Sequence, residues 1–347
     1  VRALLISEFG VTPHVADLPD PVCPADGVVV RVEATGVCRS DWHAWQGHDD
    51  GVTLPHVPGH ELAGTVVETG PDVGRWSVGD RVTVPFVCAC GTCATCLAGE
   101  QQVCERQEQP GFTHWGSYAE HVALHHADVN LVALPEGMSA VVAASLGCRF
   151  ATAYRALEVH GRVRTGDPVA VHGCGGVGLS AVVIAAADGA RVVAVDPSPA
   201  AREAALGLGA AVALDPTGLA PEAVAALVAE ATGGGAAVSL DALGHPATAA
   251  ASILGLRRRG RHVQVGLLLA EHAAPALPMS RVIAWELELY GSHGMAAHEY
   301  PAMLARVASG ELDPAPLVGR TIGLEAAADA LAEVARATHP RMTVVVP

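Results

Sequence analysis

Beyond residue 150, short apolar strands alternate with helix-patterned runs, and this alternation constrains the fold more than any other feature of the chain. Pro168–His172 and Arg191–Val195 read as strands, as do Ala211–Leu214, Val238–Asp241 and His262–Val265. Helical patterns lie between them at Val177–Ala187, Arg202–Leu208 and Glu222–Ala231. Such an order predicts βαβ units and a parallel sheet. The turn after the first of these strands is Gly173-Cys174-Gly175-Gly176-Val177-Gly178, a G-x-G-x-x-G pattern. In a chain with 38 glycines the pattern alone says little, and a plain Gly-rich turn is the alternative. Here it follows a strand, opens a helix, and has Asp196 at the end of the next strand, 18 residues past Gly178. That context is the dinucleotide fingerprint. Gly173 permits the tight turn, Gly175 lets backbone approach a pyrophosphate, and Gly178 lets helix and strand pack closely. The helix N-terminus, with Gly176 and Val177, offers free N–H groups to phosphate. A carboxylate at Asp196 accepts from ribose hydroxyls and repels a 2′-phosphate, so NAD is expected rather than NADP. Pro197-Ser198-Pro199 carries no base, and the chain has no lysine; Arg202 is six residues on.

The first part of the chain reads differently. Val28–Val32, Gly64–Val67 and Arg81–Val84 are strand-like runs punctuated by Gly, Pro and Asp. Residues 88–104 have neither strand nor helix period, and a loop of that kind needs something other than apolar burial to hold it. Cys90-x2-Cys93-x2-Cys96-x7-Cys104 supplies it: four thiolates within 15 residues can close a tetrahedral shell around Zn2+. Two disulfides or scattered thiols are the alternatives; the close spacing and a reducing compartment favour metal. Four thiolates leave no open position, so this zinc is expected to be structural, with Cys88 a spare thiol. A second polar group, Cys38-Arg39-Ser40-Asp41-Trp42-His43, precedes Gly59-His60-Glu61. A Cys and a His some twenty residues apart leave metal ligation open on their own.

Composition sets the outer bounds. At 347 residues the chain exceeds what one core usually serves, so two domains are expected. With 21 arginines, no lysine and 36 acidic residues the net charge is −15, which argues against nucleic acid or anionic membrane as partner. Half the residues are hydrophobic, too many for disorder. The most apolar stretch, Ala181–Val195, is broken by Asp188 and Arg191 and is too short to span a bilayer. Val1–Gly10 shows no leader pattern. A cytoplasmic protein is expected. Toward the end, Tyr300–Ser309 and Glu325–Ala337 are helix-patterned and Thr343–Val346 is strand-like.

Taken in order, these motifs resemble the zinc-dependent medium-chain alcohol dehydrogenases over essentially the whole length. The features that match are Cys38 with Ser40, Asp41 and His43; Gly59-His60-Glu61; the four-cysteine loop; Cys148 with Thr152 and Tyr154; the glycine fingerprint with Asp196; and Arg341. The resemblance implies that Cys38, His60 and Cys148 bind a catalytic zinc with a fourth position open to substrate. It implies two zincs per chain and NAD as cofactors. It further implies that a proton leaves the alcohol through Ser40, a cofactor ribose hydroxyl and His43, and that Asp41 and Glu61 orient or tune the zinc ligands, Glu61 with an occasional direct contact. Thr152 and Val265 are implied at the nicotinamide and Arg341 at the pyrophosphate. Phe86 is implied as an aromatic wall of the alcohol pocket, with Trp45 and Trp115 as further candidates.

The implied architecture is a doubly wound parallel-sheet (Rossmann) domain, residues 150–292, inserted in a β-rich GroES-like catalytic domain made of 1–149 and 293–347. The active site is expected in the cleft between them. A homo-oligomer, tetramer rather than dimer, is implied, with Trp285–Gly294 near the subunit interface. The implied reaction is reversible oxidation of primary or secondary alcohols to aldehydes or ketones. A polyol or amino-alcohol dehydrogenase of the same fold is the alternative, although such relatives often carry Glu where Cys148 stands. A non-catalytic zinc or NAD redox sensor is the alternative from another class. It needs the four-cysteine loop but not Cys38, His60, Cys148 and His43 together.

Overall fold

A computed structural model describes residues 1–269, 272–334, 336 and 340–347. The chain divides into two compact units. One comprises Val1–Ala151, Gly294–Gly310 and Pro314–Pro347; the other comprises Thr152–His293 with Glu311–Asp313.

The first unit holds strands β1 (Arg2–Leu5), β2 (His14–Asp17), β3 (Val28–Val37), β4 (Leu62–Thr69), β5 (Arg81–Thr83), β6 (His121–Leu124) and β7 (Val132–Ala133). The second holds β8 (Pro168–His172), β9 (Arg191–Val195), β10 (Val212–Leu214), β11 (Ala236–Asp241), β12 (Leu256–Gln264) and β13 (Glu288–Gly291). The chain then returns to the first with β14 (Val318–Gly323) and β15 (Met342–Val346).

In the first unit the main sheet runs β14-β15-β3-β4-β5-β7, with β6 also pairing β3. The ten-residue β3 is the longest strand and is buried almost throughout. Its valines read as strand because branched side chains pack well on a pleated, covered surface. Val28, Val30, Val32, Leu62, Val66, Val82, Val122 and Leu124 form one core cluster there. A second gathers Leu4, Ile6, Trp45 and Tyr118 against the helix Ala327–Val334. The sequence pattern ran that helix on to Ala337, which lies outside the described residues.

In the second unit the sheet order is β10-β9-β8-β11-β12-β13, parallel at every pairing. This is the 3-2-1-4-5-6 order of doubly wound nucleotide-binding sheets, with a switch point between β8 and β11. β8, β9 and β11 are buried on both faces, as parallel strands covered by helices must be. The flanking helices include Gly176–Ala187, Pro199–Gly207, Pro221–Thr232 and Pro246–Leu254. Three of the four carry Pro in the first turn, where its missing N–H has no helical partner to lose. β12 starts earlier than its apolar run suggests. Arg257, Arg258 and Arg259 hide it from pattern reading because they are exposed. Among the described residues, no helix is long and apolar enough to cross a membrane.

Two histidines are buried in this sheet. His262 Nδ1 lies 3.0 Å from Ser252 Oγ and its Nε2 3.2 Å from Gln264 Oε1, while His172 Nε2 has no protein partner. Burial pushes His172 down to about 3, helped by His262, and His262 down to about 4 against its bond to Gln264. Each is therefore neutral when folded and gains a proton on unfolding at mildly acidic pH. Their stabilisation is complete above about pH 6.5 and is lost as pH falls toward the folded values. Urea unfolding of the native protein should lose up to about 1.4 kcal/mol per pH unit per histidine in the middle of that window. Substituting both with Leu and Gln, respectively, should flatten the slope; an equal slope in the double variant contradicts the assignment.

Candidate active site

β3 ends at Val37, and the next residue, Cys38, caps the helix Arg39–Trp45 in an extended conformation. Helix initiation here is secured from inside, by Asp41. Its Oδ2 accepts the Cys38 N–H (2.9 Å) and the Tyr118 hydroxyl (3.0 Å). Its Oδ1 accepts the Gly59 N–H (3.1 Å) and lies 2.9 Å from His60 Nδ1. Gly59 has φ +108°, and a Cβ there would meet Tyr118 N at 2.7 Å, so only glycine lets the chain lie this close.

His60 is 1% exposed, and its Nε2 has no protein partner. With Nδ1 facing the Asp41 carboxylate, the ring proton belongs on Nδ1 and the Nε2 lone pair is left for a ligand. The sulfurs of Cys38 and Cys148 complete a group whose three ligand atoms all lie within 4.8 Å of one another. Cys148 comes from a different part of the chain, a wide π-type turn over Leu146–Phe150. Widening the helix there frees the N–H groups of Cys148 and Arg149, which donate to Glu61 Oε1 (3.2 and 3.1 Å).

Protons are unevenly shared among the three ligand groups. A hydrogen bond from the Cys148 thiol holds Cys38 well below the usual thiol range, and the same bond with burial pushes Cys148 well above it. With a proton shared between them only one of the two sulfurs is a thiolate; a cation bound there would let both ionise. Burial opposes charge on His60, but Asp41 and Cys38 together raise it well above its ordinary value. A borderline-soft ion taking two thiolates and one imidazole nitrogen fits this donor set, and the orphaned His60 Nε2 is its clearest mark.

Glu61 is fully buried and committed elsewhere. Besides the two backbone N–H groups, it accepts from Arg149 Nε (3.1 Å) and pairs with Arg149 Nη2. Burial raises its carboxyl and Arg149 opposes the rise. Ser40 Oγ lies 3.7 Å from Cys38 Sγ, and His43 stands one turn further along the same helix. The rings of Phe112 and Phe86 stand edge-on to His60, with centroids at 5.3 and 6.2 Å. The two tryptophans are placed otherwise. Trp45 is core, its indole N–H bonded to Val11 O (2.7 Å), and Trp115 donates to Pro55 O (3.1 Å).

The second metal group gathers Cys90, Cys93, Cys96 and Cys104, again with ligand atoms within 4.8 Å. Cys93 and Cys96 sulfurs are 3.4 Å apart, and Cys90 and Cys104 are 3.5 Å apart. Backbone N–H groups of Cys90, Cys96 and Arg106 point at the sulfurs (3.3–3.4 Å). A hydrogen bond from the Thr92 backbone lowers Cys90 to about 5, and burial pushes Cys96 up to about 12. Cys88 stands outside this group, its thiol directed at Pro85 O (3.6 Å).

In the second unit, the loop after β8 has the shape its glycines predict. Gly173 has φ +87°, and a Cβ on Gly178 would lie 1.8 Å from Gly173 O. A Cβ on Gly175 would meet nothing within 4 Å, so backbone there stands open. Gly175 precedes the helix Gly176–Ala187 and supplies no side-chain cap, which leaves the first-turn N–H groups for an anion. Asp196 is oriented by the N–H groups of Cys174 (2.7 Å) and Ser198 (2.8 Å). Arg202 turns back onto Asp196 O (2.7 Å) and pairs with Asp215 (3.0 Å), so its charge is already matched. Thr152 is buried in the helix Ala151–Arg155, Val265 follows β12, and Arg341 is exposed just before β15.

Sequence motifs missed Tyr118, Phe112 and Arg149. Tyr118 and Phe112 sit in no pattern. Arg149 adjoins Cys148, but its role appears only when residues 61 and 149 meet in space.

Two thiolate-rich metal groups and a doubly wound sheet with a phosphate turn define a zinc- and nicotinamide-dependent dehydrogenase. The alcohol dehydrogenase GroES-like domain family matches residues 24–136, and the zinc-binding dehydrogenase family matches residues 176–309. An alcohol dehydrogenase of Geobacillus stearothermophilus is 37% identical over 271 residues, covering 77% of this chain and 78% of that protein. The NAD-dependent alcohol dehydrogenase of Sulfurisphaera tokodaii is 30% identical over 342 residues, 95% of each. A solved alcohol dehydrogenase from Thermus sp. ATN1 superposes with TM-score 0.91 at 31% identity, over 100% of this chain and 99% of that one. The chain belongs to the zinc-dependent medium-chain alcohol dehydrogenase family. It is an NAD-dependent alcohol dehydrogenase of the zinc type, and nothing in these similarities favours the polyol or sensor alternatives.

Replacing Asp41 with Asn keeps the shape but removes the charge that fixes His60. Retention of the metal by Cys38, His60 and Cys148 should fall about 10–100-fold in a chelator competition. The zinc of the four-cysteine loop should stay. Equal loss of both metals, or of neither, counts against this role of Asp41.

Proposed function

We propose that Cys38, His60 and Cys148 hold the catalytic zinc, that Cys90, Cys93, Cys96 and Cys104 hold the structural one, and that the substrates are medium-sized primary or secondary alcohols and the matching carbonyls. The carrying observation is the buried His60, its Nε2 without a hydrogen-bond partner, grouped with two thiols so that the three ligand atoms lie within 4.8 Å of one another. When bound, zinc polarises the alcohol oxygen and NAD takes up the hydride. The chain's own residues do the rest. Asp41 fixes the tautomer and aim of His60. Glu61 is held by Arg149 and the turn at Cys148, and so keeps the carboxylate side of the site rigid. Phe86 and Phe112 furnish apolar walls beside His60. Ser40, smaller than the Thr of some relatives, leaves room for branching at the carbinol carbon and begins the proton route that His43 continues.

On the second unit, Gly173, Gly175, Gly176, Val177 and Gly178 cradle the pyrophosphate, Asp196 takes the ribose hydroxyls, and Thr152 and Val265 position the nicotinamide. Arg341 is assigned to the pyrophosphate. A homo-oligomer, a tetramer in preference to a dimer, fits β13 as an edge strand and the exposed Met279 and Ile283 that precede it. A reducing cytoplasm suits the thiolate ligands.

A screen of alcohol classes with NAD tests the reading at its base: activity on simple primary and secondary alcohols is expected, and none on any of them rejects it. Asp196→Ala should raise the KM for NAD by tenfold or more, roughly the loss of a charged hydrogen-bond pair. An unmoved KM removes Asp196 from the ribose. His43→Gln should depress turnover mainly at low pH, where water and hydroxide are poor acceptors.

A further inference from the structure

The helix that carries Ser40 and His43 ends at Trp45, and the chain then folds back on it. The amide of Gln46 donates to Trp42 O (2.9 Å), and that of His48 donates to His43 O (3.0 Å). Gly47 makes the reversal possible with φ +72°, a conformation an L side chain rarely takes, and its Cβ position is 3.0 Å from the Phe9 ring. The fold-back sets the His48 ring beside that of His43. Their Nδ1 atoms are 3.0 Å apart, with centroids at 5.3 Å. Trp42 stands edge-on to both, at 4.9 and 5.5 Å, and holds the pair in place. Exposure rises along the series: Cys38 is buried, Ser40 and His43 are half-buried, and His48 is exposed.

We propose that His48 is the outlet of the proton route, acting through His43 by a shared Nδ1···Nδ1 hydrogen bond. The inference rests on the reading of Ser40 and His43 given above. With its Nδ1 engaged by His48, His43 accepts the incoming proton on Nε2. The Nδ1 proton of His43 then passes to Nδ1 of His48, and His48 releases its Nε2 proton to water. One proton enters, one leaves, and both rings end neutral. In the direction of carbonyl reduction the same steps run backwards. His48 is a positioning residue in this scheme, since it touches neither substrate nor cofactor.

The charges around the pair favour outward passage. Burial, Arg39 and His48 lower the His43 pKa, and Cys38 opposes them. A weakened base does not retain the proton it receives. The neighbouring elements add little else: the helix Ala327–Val334 carries Asp329 and Glu333, the latter paired with Arg320, and the loop bearing Phe9 carries Glu8. Asp49, next to His48, accepts the Gly51 N–H (2.8 Å).

Two substitutions at this exposed position separate placement from transfer. His48→Ala removes the partner. His48→Gln keeps a hydrogen-bonding side chain that cannot carry a proton onward. Ring-proton NMR titration of the zinc-loaded enzyme without NAD should show the His43 pKa rising in His48→Ala. Stopped-flow indicator measurements on mixing enzyme and NAD with alcohol should show proton release slowed about threefold to tenfold below neutral pH in both variants. Added imidazole should restore it in His48→Ala. An unaltered release rate in both variants overturns the proposal even where the titration moves. If His43→Gln shifts the low-pH profile and the His48 variants do not, His48 alone is excluded. If His43→Gln shifts nothing, the relay reading falls and this inference with it.

Discussion

The buried carboxylate of Asp41 is the interaction on which the first unit's chemistry depends. One side chain with no exposure ties together the end of β3, the start of a helix, the Gly59-His60 turn and Tyr118. Each charge-assisted bond of this kind contributes roughly 1.5–3 kcal/mol, and leaving such a carboxylate buried without them is prohibitive. The cost of burial is thus what makes the arrangement specific. Only the geometry that satisfies Asp41 is tolerated, and that geometry presents His60 Nε2 and Cys38 Sγ to one point. Arg149 holds the buried Glu61 in the same way.

The two zinc groups solve different problems with one ligand type. The four-cysteine loop leaves its large apolar side chains, Leu97 and Val103, exposed, so its shape comes from sulfurs and the N–H groups around them. Cys38, buried, and Cys148, half-buried, lie in segments that carboxylate hydrogen bonds already shape, so a metal there would serve chemistry rather than shape. Two thiolates and one imidazole would bring a divalent ion in the catalytic group to a net charge near zero and leave it able to polarise an oxygen. Four thiolates would not.

Much of the second unit was legible in the sequence because parallel strands and their helices are locally written. β8 and β9 begin and end where their apolar runs do, and the glycine turn follows from the steric needs of Gly173 and Gly178. The exposed arginines of β12 hid its first half, since a strand that leaves the covered part of a sheet loses its apolar signature. In the first unit, short strands such as β6 and β7 and the helix at Arg39–Trp45 were not marked. Four-residue and two-residue strands carry too few positions for a period to show. The four-cysteine group was legible from its spacing, whereas Cys38, His60 and Cys148 were expected together only through the family resemblance, and the fold brings their ligand atoms within 4.8 Å of one another.

The order of residues alone sets the inventory: which thiols and imidazoles are available, which glycines must turn, and that an acid rather than a base follows the second strand of the dinucleotide fingerprint. These are properties of single residues and near neighbours, and spacing encodes them. The folded chain supplies what the motifs left open: that the Asp41 carboxylate stands at His60 Nδ1 and that Arg149 restrains Glu61. Those outcomes depend on burial and on contacts across 19 to 88 residues of chain, such as Asp41 to His60 and Glu61 to Arg149. A hydrogen bond between distant residues leaves no period in a sequence. The pairing of His43 with His48 is a local case of the same limit, because a single left-handed glycine brings the two rings together.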